Sequence, residues 1–155
     1  MENDELHPHK NKVHKILAQS YSVYLFSILL GLVFNLVLGI QVFAHPLWRE
    51  IGTFLLFFGS VLIIWAQYTS ANLNMKNVTR DTFRHGPYRF TRTPTNWGLF
   101  FVVLGFGLII NTFFIILFTL VAFLVAKFIF LNKEEKILEE KYGAPYLEYK
   151  KQVRF

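Results

Sequence analysis

The chain has 155 residues, of which 54% are hydrophobic and 18% aromatic, while only 17% are charged. This composition is too apolar for an ordinary soluble domain, and the length allows a single domain. The chain has no cysteine, which excludes disulfides, thiolate metal sites, cysteine nucleophiles and palmitoylation. The charged residues are concentrated near the two ends and in one middle segment. The long uncharged stretches between them indicate a membrane protein.

Two apolar stretches in the first half of the chain predict transmembrane helices. Residues 21–44 carry no formal charge and are long enough to cross the ~30 Å hydrocarbon core of a bilayer. This stretch is longer than the apolar part of a signal peptide, and acidic residues precede it, so we interpret it as a retained helix. Residues 51–68 are also uncharged and predict a second helix.

A third apolar stretch, at residues 97–131, is interrupted only by Lys127. As one helix it would be about 50 Å long, well beyond one bilayer, so the chain must turn back. The polar residues at positions 111–112 are the best place for the chain to reverse. This predicts a tight hairpin of two short spans at residues 95–110 and 113–131. Lys127 lies near the end of the second span, where its ammonium group is expected to reach the membrane interface.

Small residues recur with a fixed spacing along three of the predicted helices. In the first helix, small or short polar residues follow one another at intervals of four, at Ser27, Gly31, Asn35 and Gly39. Every seventh position is small in the second helix, at Gly52, Gly59 and Ala66, and in the third, at Gly98 and Gly105. These stripes predict close approach of helix backbones, with Asn35 hydrogen-bonding across the first of them. No Asp or Glu lies within the spans, which disfavours a proton-coupled transporter.

The basic residues orient the predicted helices. Fifteen of the sixteen lysines and arginines lie before the first span, between the second and third, or from Lys127 onward. The positive-inside rule therefore places both termini and the middle loop in the cytoplasm. The charges are spread over three segments without interleaved stacking aromatics, which indicates contact with the lipid bilayer and excludes nucleic acid as the expected partner.

The expected fold is an all-α integral membrane protein with four transmembrane helices, of which the last two form the hairpin. Residues 1–20 are expected to be a cytoplasmic tail, and residues 21–155 a single membrane domain that ends in a helical cytoplasmic segment. The irregularly spaced histidines of the first segment favour a solvated tail over a metal site.

The loop at residues 69–96 is the first candidate for a functional site. Its stretch from His85 to Pro94 contains Gly-Pro and Thr-Pro steps, which oppose a continuous helix. Exposed amides and arginines there suit an anionic or carboxylate group. The alternative is a basic loop that only contacts the membrane surface.

The tail at residues 132–155 is the second candidate. Glu134 and Glu135 follow directly after the last span, and an acidic pair at a membrane edge suits a cationic ligand. Lys133 and Lys136 are competing local partners, and an ordinary amphipathic extension of the span is the alternative interpretation.

An ordered set of motifs over about residues 80–155 carries a resemblance to a known family. The motifs are Gly86-Pro87-Tyr88-Arg89, Arg92-x-Pro94, Gly98, Glu134-Glu135-x-x-Leu138, Tyr142-Gly143, Tyr146, Tyr149 and Arg154-Phe155. Together with the hydrophobic hairpin between them, they resemble the isoprenylcysteine carboxyl methyltransferase family, with phospholipid N-methyltransferases as more distant kin. The resemblance implies an S-adenosylmethionine-dependent membrane methyltransferase. It further implies that the cofactor binds at the cytoplasmic face and that a small lipophilic acceptor, a carboxylate or an amine, enters from the bilayer.

The resemblance also assigns the cofactor-binding residues by position. They are Thr82, Phe83, Tyr88, Thr93, Pro94, Thr95 and Asn96 in the loop, and Glu134 in the tail, with Glu135 completing the acidic pair. Arg92 is the candidate partner for the carboxylate of the cofactor. No catalytic residue and no metal ligand is assigned, because methyl transfer by direct displacement depends mainly on positioning and exclusion of water. For an amine acceptor, His85 or Glu135 could accept the proton.

The chain departs from these relatives at three positions. Residues 92–96 read Arg-Thr-Pro-Thr-Asn, where relatives have Arg-His-Pro followed one residue later by Tyr. Phe130 stands where prenyl-protein enzymes have an arginine, so the prenylcysteine substrate is not carried over. Two alternatives stay open: a non-catalytic member of the same fold, and an NADPH-dependent membrane reductase related to the sterol reductases. The small size suits a bacterial inner membrane, and the oligomeric state is left open.

Overall fold

A computed structural model describes residues 6–41, 45–72 and 80–153. Within these ranges the chain forms six α-helices, which are α1 (Leu6–Leu38), α2 (Leu47–Ala71), α3 (Pro94–Ile109), α4 (Phe113–Val125), α5 (Asn132–Tyr142) and α6 (Ala144–Gln152). Two 3-10 turns, Arg80–Phe83 and Gly86–Arg89, precede α3, and a π-helical turn, Ala126–Leu131, joins α4 to α5. The described ranges contain no β-strand, which confirms the all-α prediction.

Among the described residues, three helices are long and apolar enough to cross a membrane, as judged from their length and composition. They are Ala18–Leu38 within α1, Leu47–Ala71, and the continuous helix Phe113–Tyr142. α3 has 16 residues and is therefore about 24 Å long, shorter than the ~30 Å core of a bilayer. Three spans thus have structural support, and the fourth stays a prediction. The tight hairpin is present, because only residues 110–112 separate α3 from α4.

The first helix differs from its predicted bounds at both ends. It begins at Leu6, so residues 6–20 continue the helix instead of forming a separate segment. It ends at Leu38, and residues 42–44 of the predicted span lie outside the described residues, as do Arg154 and Phe155 of the tail motif.

Gly39 ends the first helix. Its φ is 60°, the left-handed conformation that favours glycine after a helix, and its N–H donates to the carbonyl of Asn35 at 2.8 Å. A Cβ at this position would meet no atom within 4 Å. The structure therefore corrects the prediction that Gly39 belongs to the packing stripe, since it serves the helix terminus instead.

The rest of that stripe faces α4. A Cβ on Gly31 would lie 2.8 Å from the Cα of Ile115, so the two backbones meet directly at this crossing. Ser27 is buried, and its hydroxyl donates to the carbonyl of Val23 within the same helix. The side-chain oxygen of Asn35 has no hydrogen-bond partner among the described residues, so the predicted bond across the stripe is absent from this part of the chain.

α2 and α3 pack antiparallel through their glycines. A Cβ on Gly52 would lie 2.7 Å from the carbonyl oxygen of Gly105, and one on Gly59 would lie 2.6 Å from that of Gly98. Side chains cannot approach a carbonyl so closely, so each glycine is required by the facing backbone. The two seven-residue repeats predicted from the sequence are therefore the two sides of one interface.

The helices pack in the spatial order α1, α4, α3 and α2. The buried core between them consists of Tyr24, Val103, Ile115, Ala122 and Ala126. At one end of this bundle, α5 contacts α1, the 3-10 turn Gly86–Arg89 contacts α2, and α6 contacts the 3-10 turn Arg80–Phe83. The loop and tail that the sequence singles out for chemistry are thus brought together at one end.

Candidate functional site

The loop that enters the site is held against the end of α2. Gly86 has a φ of 55°, and a Cβ on it would collide with the side chain of Thr69 and approach the indole nitrogen of Trp65 to 3.1 Å. Pro94, which is buried, begins α3 at a helix position that suits proline. The close contact at Gly86 and the start of α3 at Pro94 fix where the intervening side chains lie.

Glu135 is the centre of an ion-pair network. Its Oε1 lies 2.5 Å from Nη1 of Arg92, and its Oε2 lies 2.7 Å from Nζ of Lys150, which also contacts Glu139 at 2.5 Å. Glu135 is buried, with 8% of its surface exposed. Its partners come from the loop and from α6. The sequence had suggested the neighbouring Lys133 and Lys136 as competing partners instead.

Glu134 lies in different surroundings from Glu135. It is partly buried, and among the described residues it has no ion-pair or hydrogen-bond partner. Its negative charge acts on Tyr88 and raises the pKa of that phenol, in addition to the larger effect of burial. Of the two carboxylates, Glu134 is therefore the one without an ion-pair partner among the described residues.

Three tyrosines surround the acidic pair. The Tyr88 side chain hydrogen-bonds to the hydroxyls of Ser70 and Thr95, and its carbonyl accepts a hydrogen bond of 2.8 Å from the Tyr149 hydroxyl. Burial raises the pKa of Tyr88, Tyr146 and Tyr149, and the Glu135 carboxylate raises that of Tyr146 and Tyr149 further. These phenols therefore stay neutral near pH 7 and act as hydrogen-bonding groups with an aromatic face.

Lys150 stays positively charged in this network. Hydrogen bonds to Glu135 and Glu139 raise its pKa, and this effect exceeds the opposing effect of desolvation. Because Lys150 is on α6 and both glutamates are on α5, the network ties the two helices to each other and, through Arg92, to the loop.

Thr82 and Phe83 lie in the wall that supports α6. The Phe83 ring is 5.2 Å from the ring of Tyr142 and 5.5 Å from that of Tyr146, in edge-to-face contacts. Thr82 is buried, and its carbonyl oxygen lies 3.1 Å from Nδ1 of His85. Both residues lie next to the acidic site and stabilise its surroundings, and their contact with a cofactor stays a prediction.

A small cavity of about 40 Å³ lies where α3 begins and α4 ends. Its polar wall consists of Arg92, Thr93, Asn96 and Lys127, and its apolar wall includes Trp97, Phe123 and Leu131. The Thr93 N–H donates to the hydroxyl of Thr91 at 3.3 Å. Lys127, which the sequence analysis placed at the membrane interface, is thus beside the candidate site.

Asn96 already has a partner within the protein. The hydroxyl of Tyr24, which is 1% exposed, donates to Oδ1 of Asn96 at 3.0 Å. This bond links α1 to the start of α3. It was missed at the sequence level because 72 positions separate the two residues and a tyrosine near the end of an apolar helix gives no sign of its partner.

The substitution Tyr24→Phe is expected to lower the free energy of unfolding by about 1 kcal/mol, because it leaves the buried Asn96 amide without its donor. Thermal unfolding of the detergent-solubilised protein would measure this. Tyr68→Phe is the matched control, since Tyr68 is 72% exposed, and no change is expected there. Equal stability of the two variants would show that the bond contributes nothing.

The structure brings five predicted residues, Tyr88, Arg92, Thr95, Glu134 and Glu135, into one polar cluster. Thr93 and Asn96 line the adjoining cavity, Thr82 and Phe83 support α6, and Pro94 is fully buried at the helix start. Tyr24, Ser70 and Lys150 are the contributors that sequence reasoning missed. Lys150 could have been suggested only by its position in the basic tail.

The part of the chain that the structure describes has no strand, has three apolar helices of membrane-crossing length and has a polar cluster at one end, which identifies an integral membrane protein. The family model for phospholipid methyltransferases matches residues 47–145, well over half of the chain, so the chain belongs to the phospholipid methyltransferase family. The match includes α2, the loop, the hairpin and α5 with its acidic pair. No curated protein and no solved structure matches the chain. The predicted membrane methyltransferase class is thus confirmed at the level of the family.

Proposed function

We propose that this protein is an S-adenosylmethionine-dependent methyltransferase of the isoprenylcysteine carboxyl methyltransferase type. It transfers a methyl group to a small lipophilic acceptor, a carboxylate or an amine, at the cytoplasmic face of a membrane, which we take to be a bacterial inner membrane with both termini in the cytoplasm. The observation that carries the proposal is the carboxylate of Glu134, which has no ion-pair partner in the part of the chain that the structure describes. It lies beside the ion-paired Glu135 and the ring of Tyr88, in a chain of a methyltransferase family.

The side chains at the site match the charged groups of S-adenosylmethionine. Glu134 suits the ammonium and sulfonium groups, and the faces of Tyr88 and Tyr146 suit a cation. Arg92 suits the carboxylate, and since it already pairs with Glu135, the cofactor carboxylate would share the guanidinium. The residues present therefore fit the cofactor chemically.

The cavity beside the site is too small for the cofactor, so cofactor binding requires a movement of the protein. The adjoining cavity measures about 40 Å³, whereas pockets for molecules of this size are roughly 300 to 1,000 Å³. We therefore expect the loop around Arg92 and the helix α5 to separate when the cofactor binds. The ion pair between Arg92 and Glu135 joins these two elements, so it is the contact that binding would rearrange.

The side chains at the site determine how the chain could assist methyl transfer. When bound, S-adenosylmethionine supplies an electrophilic methyl group on a positively charged sulfur. Tyr146 and Tyr149 are buried and Tyr88 is partly buried beside the acidic pair, so their role in the proposal is to exclude water and to help hold the acceptor in line for displacement. A carboxylate acceptor needs no base. For an amine acceptor, His85 is the better base, because both oxygens of Glu135 are engaged by cations while His85 is exposed.

Equilibrium binding of S-adenosylmethionine to the full chain in detergent tests the proposal. We expect saturable binding that Glu134→Gln weakens at least tenfold, because the substitution removes the charge and keeps the shape. Glu140→Gln is the matched control, since Glu140 is exposed on the same helix, and it should bind as the unmodified protein does.

Other results would redirect the assignment. Failure of the folded protein to bind S-adenosylmethionine would overturn the proposal, and preferential binding of NADPH would favour the reductase. Binding without methylation of any component of a lipid extract would favour the non-catalytic member. Thr93→His, which restores the motif of the relatives, would then be tested for recovered turnover.

A further inference from the structure

A second cavity, of about 230 Å³, lies at the end of the bundle opposite the acidic pair. α2 begins there and α3 ends there, so the 16 residues of α3, a length of about 24 Å, separate it from Arg92 and Glu135. Its lining consists of His45, Pro46, Trp48, Arg49, Leu108, Ile109 and Asn111. A group bound in this cavity is therefore remote from the reacting atoms of the proposed methyl transfer.

Two side chains give this cavity its polar character, and both suit an anion. The guanidinium group of Arg49 has no ion-pair or hydrogen-bond partner among the described residues. The Leu47 N–H donates to Nδ1 of His45 at 3.2 Å, so the neutral imidazole carries its proton on Nε2, where it is a donor. No carboxylate belongs to the described lining. Glu50 follows Arg49 on the helix, but adjacent helical positions do not face each other.

The apolar wall of the cavity is fixed by the close contact between α2 and α3. A Cβ on Gly52 would lie 2.9 Å from the Cβ of Leu108 and 3.1 Å from Cγ1 of Ile109. Both side chains are therefore held against α2, about one turn beyond Arg49. Asn111 follows in the hairpin turn with a φ of 53°, a conformation that asparagine adopts more readily than most residues. The wall is thus rigid before any ligand binds.

The cavity lies at the depth of the lipid headgroups. α2 is long and apolar enough to cross a membrane, and its first turn carries Trp48 and Arg49, residue types that suit the membrane interface. Arg49 is also the single member of the sixteen lysines and arginines that lies outside the three basic segments. A cation at this depth is most simply balanced by the anion that is abundant there, the phosphodiester of a phospholipid.

We propose that this cavity binds the phosphodiester group of an anionic phospholipid in the leaflet opposite the acidic site. Arg49 and the Nε2–H of His45 bind the phosphodiester, while the apolar part of the lipid lies against Leu108 and Ile109. Because the described lining has no carboxylate, the cavity favours a headgroup without an ammonium group. The bound lipid is a structural ligand and not a methyl acceptor, so this inference is independent of the proposed function.

Titration of the full chain in a non-ionic detergent with short-chain lipids tests this inference. The probes are dioctanoyl phosphatidylglycerol, dioctanoyl phosphatidylcholine and glycerophosphoglycerol, which is the phosphatidylglycerol headgroup without acyl chains. Native mass spectrometry counts the bound ligand. We expect phosphatidylglycerol to bind at least about tenfold more tightly than phosphatidylcholine, and at least about tenfold more tightly than its own headgroup.

Substitutions at the two ends of the bundle locate the site. Arg49→Gln is expected to weaken the binding of phosphatidylglycerol about tenfold, and Arg49→Lys to weaken it less, because the charge is kept. Arg89→Gln is the matched control, since Arg89 is exposed at the opposite end and lines neither cavity. It should change the affinity by less than about twofold. The unfolding temperature of each variant without lipid shows whether it is folded.

Four results would overturn the inference. Equal losses with Arg49→Gln and Arg89→Gln would indicate general attraction to basic surface. Phosphatidylcholine binding as tightly as phosphatidylglycerol would contradict the preference for an anionic lipid. Equally tight binding of glycerophosphoglycerol would identify a soluble phosphodiester as the ligand instead of a lipid, and the absence of phosphatidylglycerol binding to the folded protein would leave the cavity without this ligand. None of these measurements uses S-adenosylmethionine, so their outcome is separate from that of the proposed function.

Discussion

Replacing Glu135 by glutamine is expected to lower the free energy of unfolding by about 3 kcal/mol. The carboxylate is buried and neutralises Arg92, whose side chain is 17% exposed, and Lys150, whose side chain is 35% exposed. Glutamine keeps the shape but removes the charge, so Arg92 keeps its positive charge in a largely desolvated position without its counter-ion. Loss of one partner of such a pair costs more than the pair itself contributes.

Thermal or denaturant unfolding in detergent would measure this effect, with Glu140→Gln as the control of the same chemistry at an exposed position. That control should stay within about 0.5 kcal/mol of the unmodified chain. Lys150→Gln should cost less than Glu135→Gln, because Lys150 is more exposed than Arg92 and is therefore better solvated. Similar stabilities for Glu135→Gln and Glu140→Gln would mean that the network does not stabilise the fold.

The second large effect is expected from Gly59→Val, which should lower the free energy of unfolding by about 3 kcal/mol. A Cβ on Gly59 would lie 2.6 Å from the carbonyl oxygen of Gly98 and 2.8 Å from the amide nitrogen of Val102. Both are backbone atoms, so no change of side-chain rotamer relieves the collision. α2 and α3 must move apart, which removes the close contact at Gly52 and Gly105 as well.

Thr53→Val is the control for this prediction, because Thr53 is exposed on the same helix, and its stability should change by less than about 0.5 kcal/mol. Gly59→Ala should fall between the two, since it adds only the colliding Cβ. The same unfolding measurement applies to all three variants. An unchanged stability for Gly59→Val would show that the two helices are not held by the glycine interface.

The helix interfaces were the part of the fold that sequence could predict. The repeats at Gly52 and Gly59 and at Gly98 and Gly105 are regular, and a regular spacing of small residues has one common physical cause, close approach of backbones. Gly39 continued the four-residue spacing of Ser27, Gly31 and Asn35 for another reason, because it ends its helix with a positive φ. Spacing alone does not separate these two uses of glycine.

The partners within the site could not be predicted in the same way. Arg92 and Glu135 are far apart along the chain, and Lys133 and Lys136 are nearer to the acidic pair in sequence. The choice between them depends on how the hairpin brings the loop beside α5, which is a tertiary property. Lys127 was interpreted as a membrane-interface residue from its place near the end of an apolar stretch, and its exposure in the structure agrees with this; that it also lines the cavity beside Arg92 depends on tertiary packing.

The hairpin of α3 and α4 also limits where residues can be inserted into the chain or deleted from it. Arg92 and Glu135 stand at its two open ends, so one residue inserted in either helix would rotate everything beyond it by about 100° and separate the pair. The turn at Ala126–Leu131 is the one place in the described part of this hairpin where the helix is already wider than α-helical geometry requires. A one-residue deletion in this turn is expected to be absorbed by a return to a regular α-helix. A deletion in α3 is not, because the glycines of α3 pack directly against the backbone of α2.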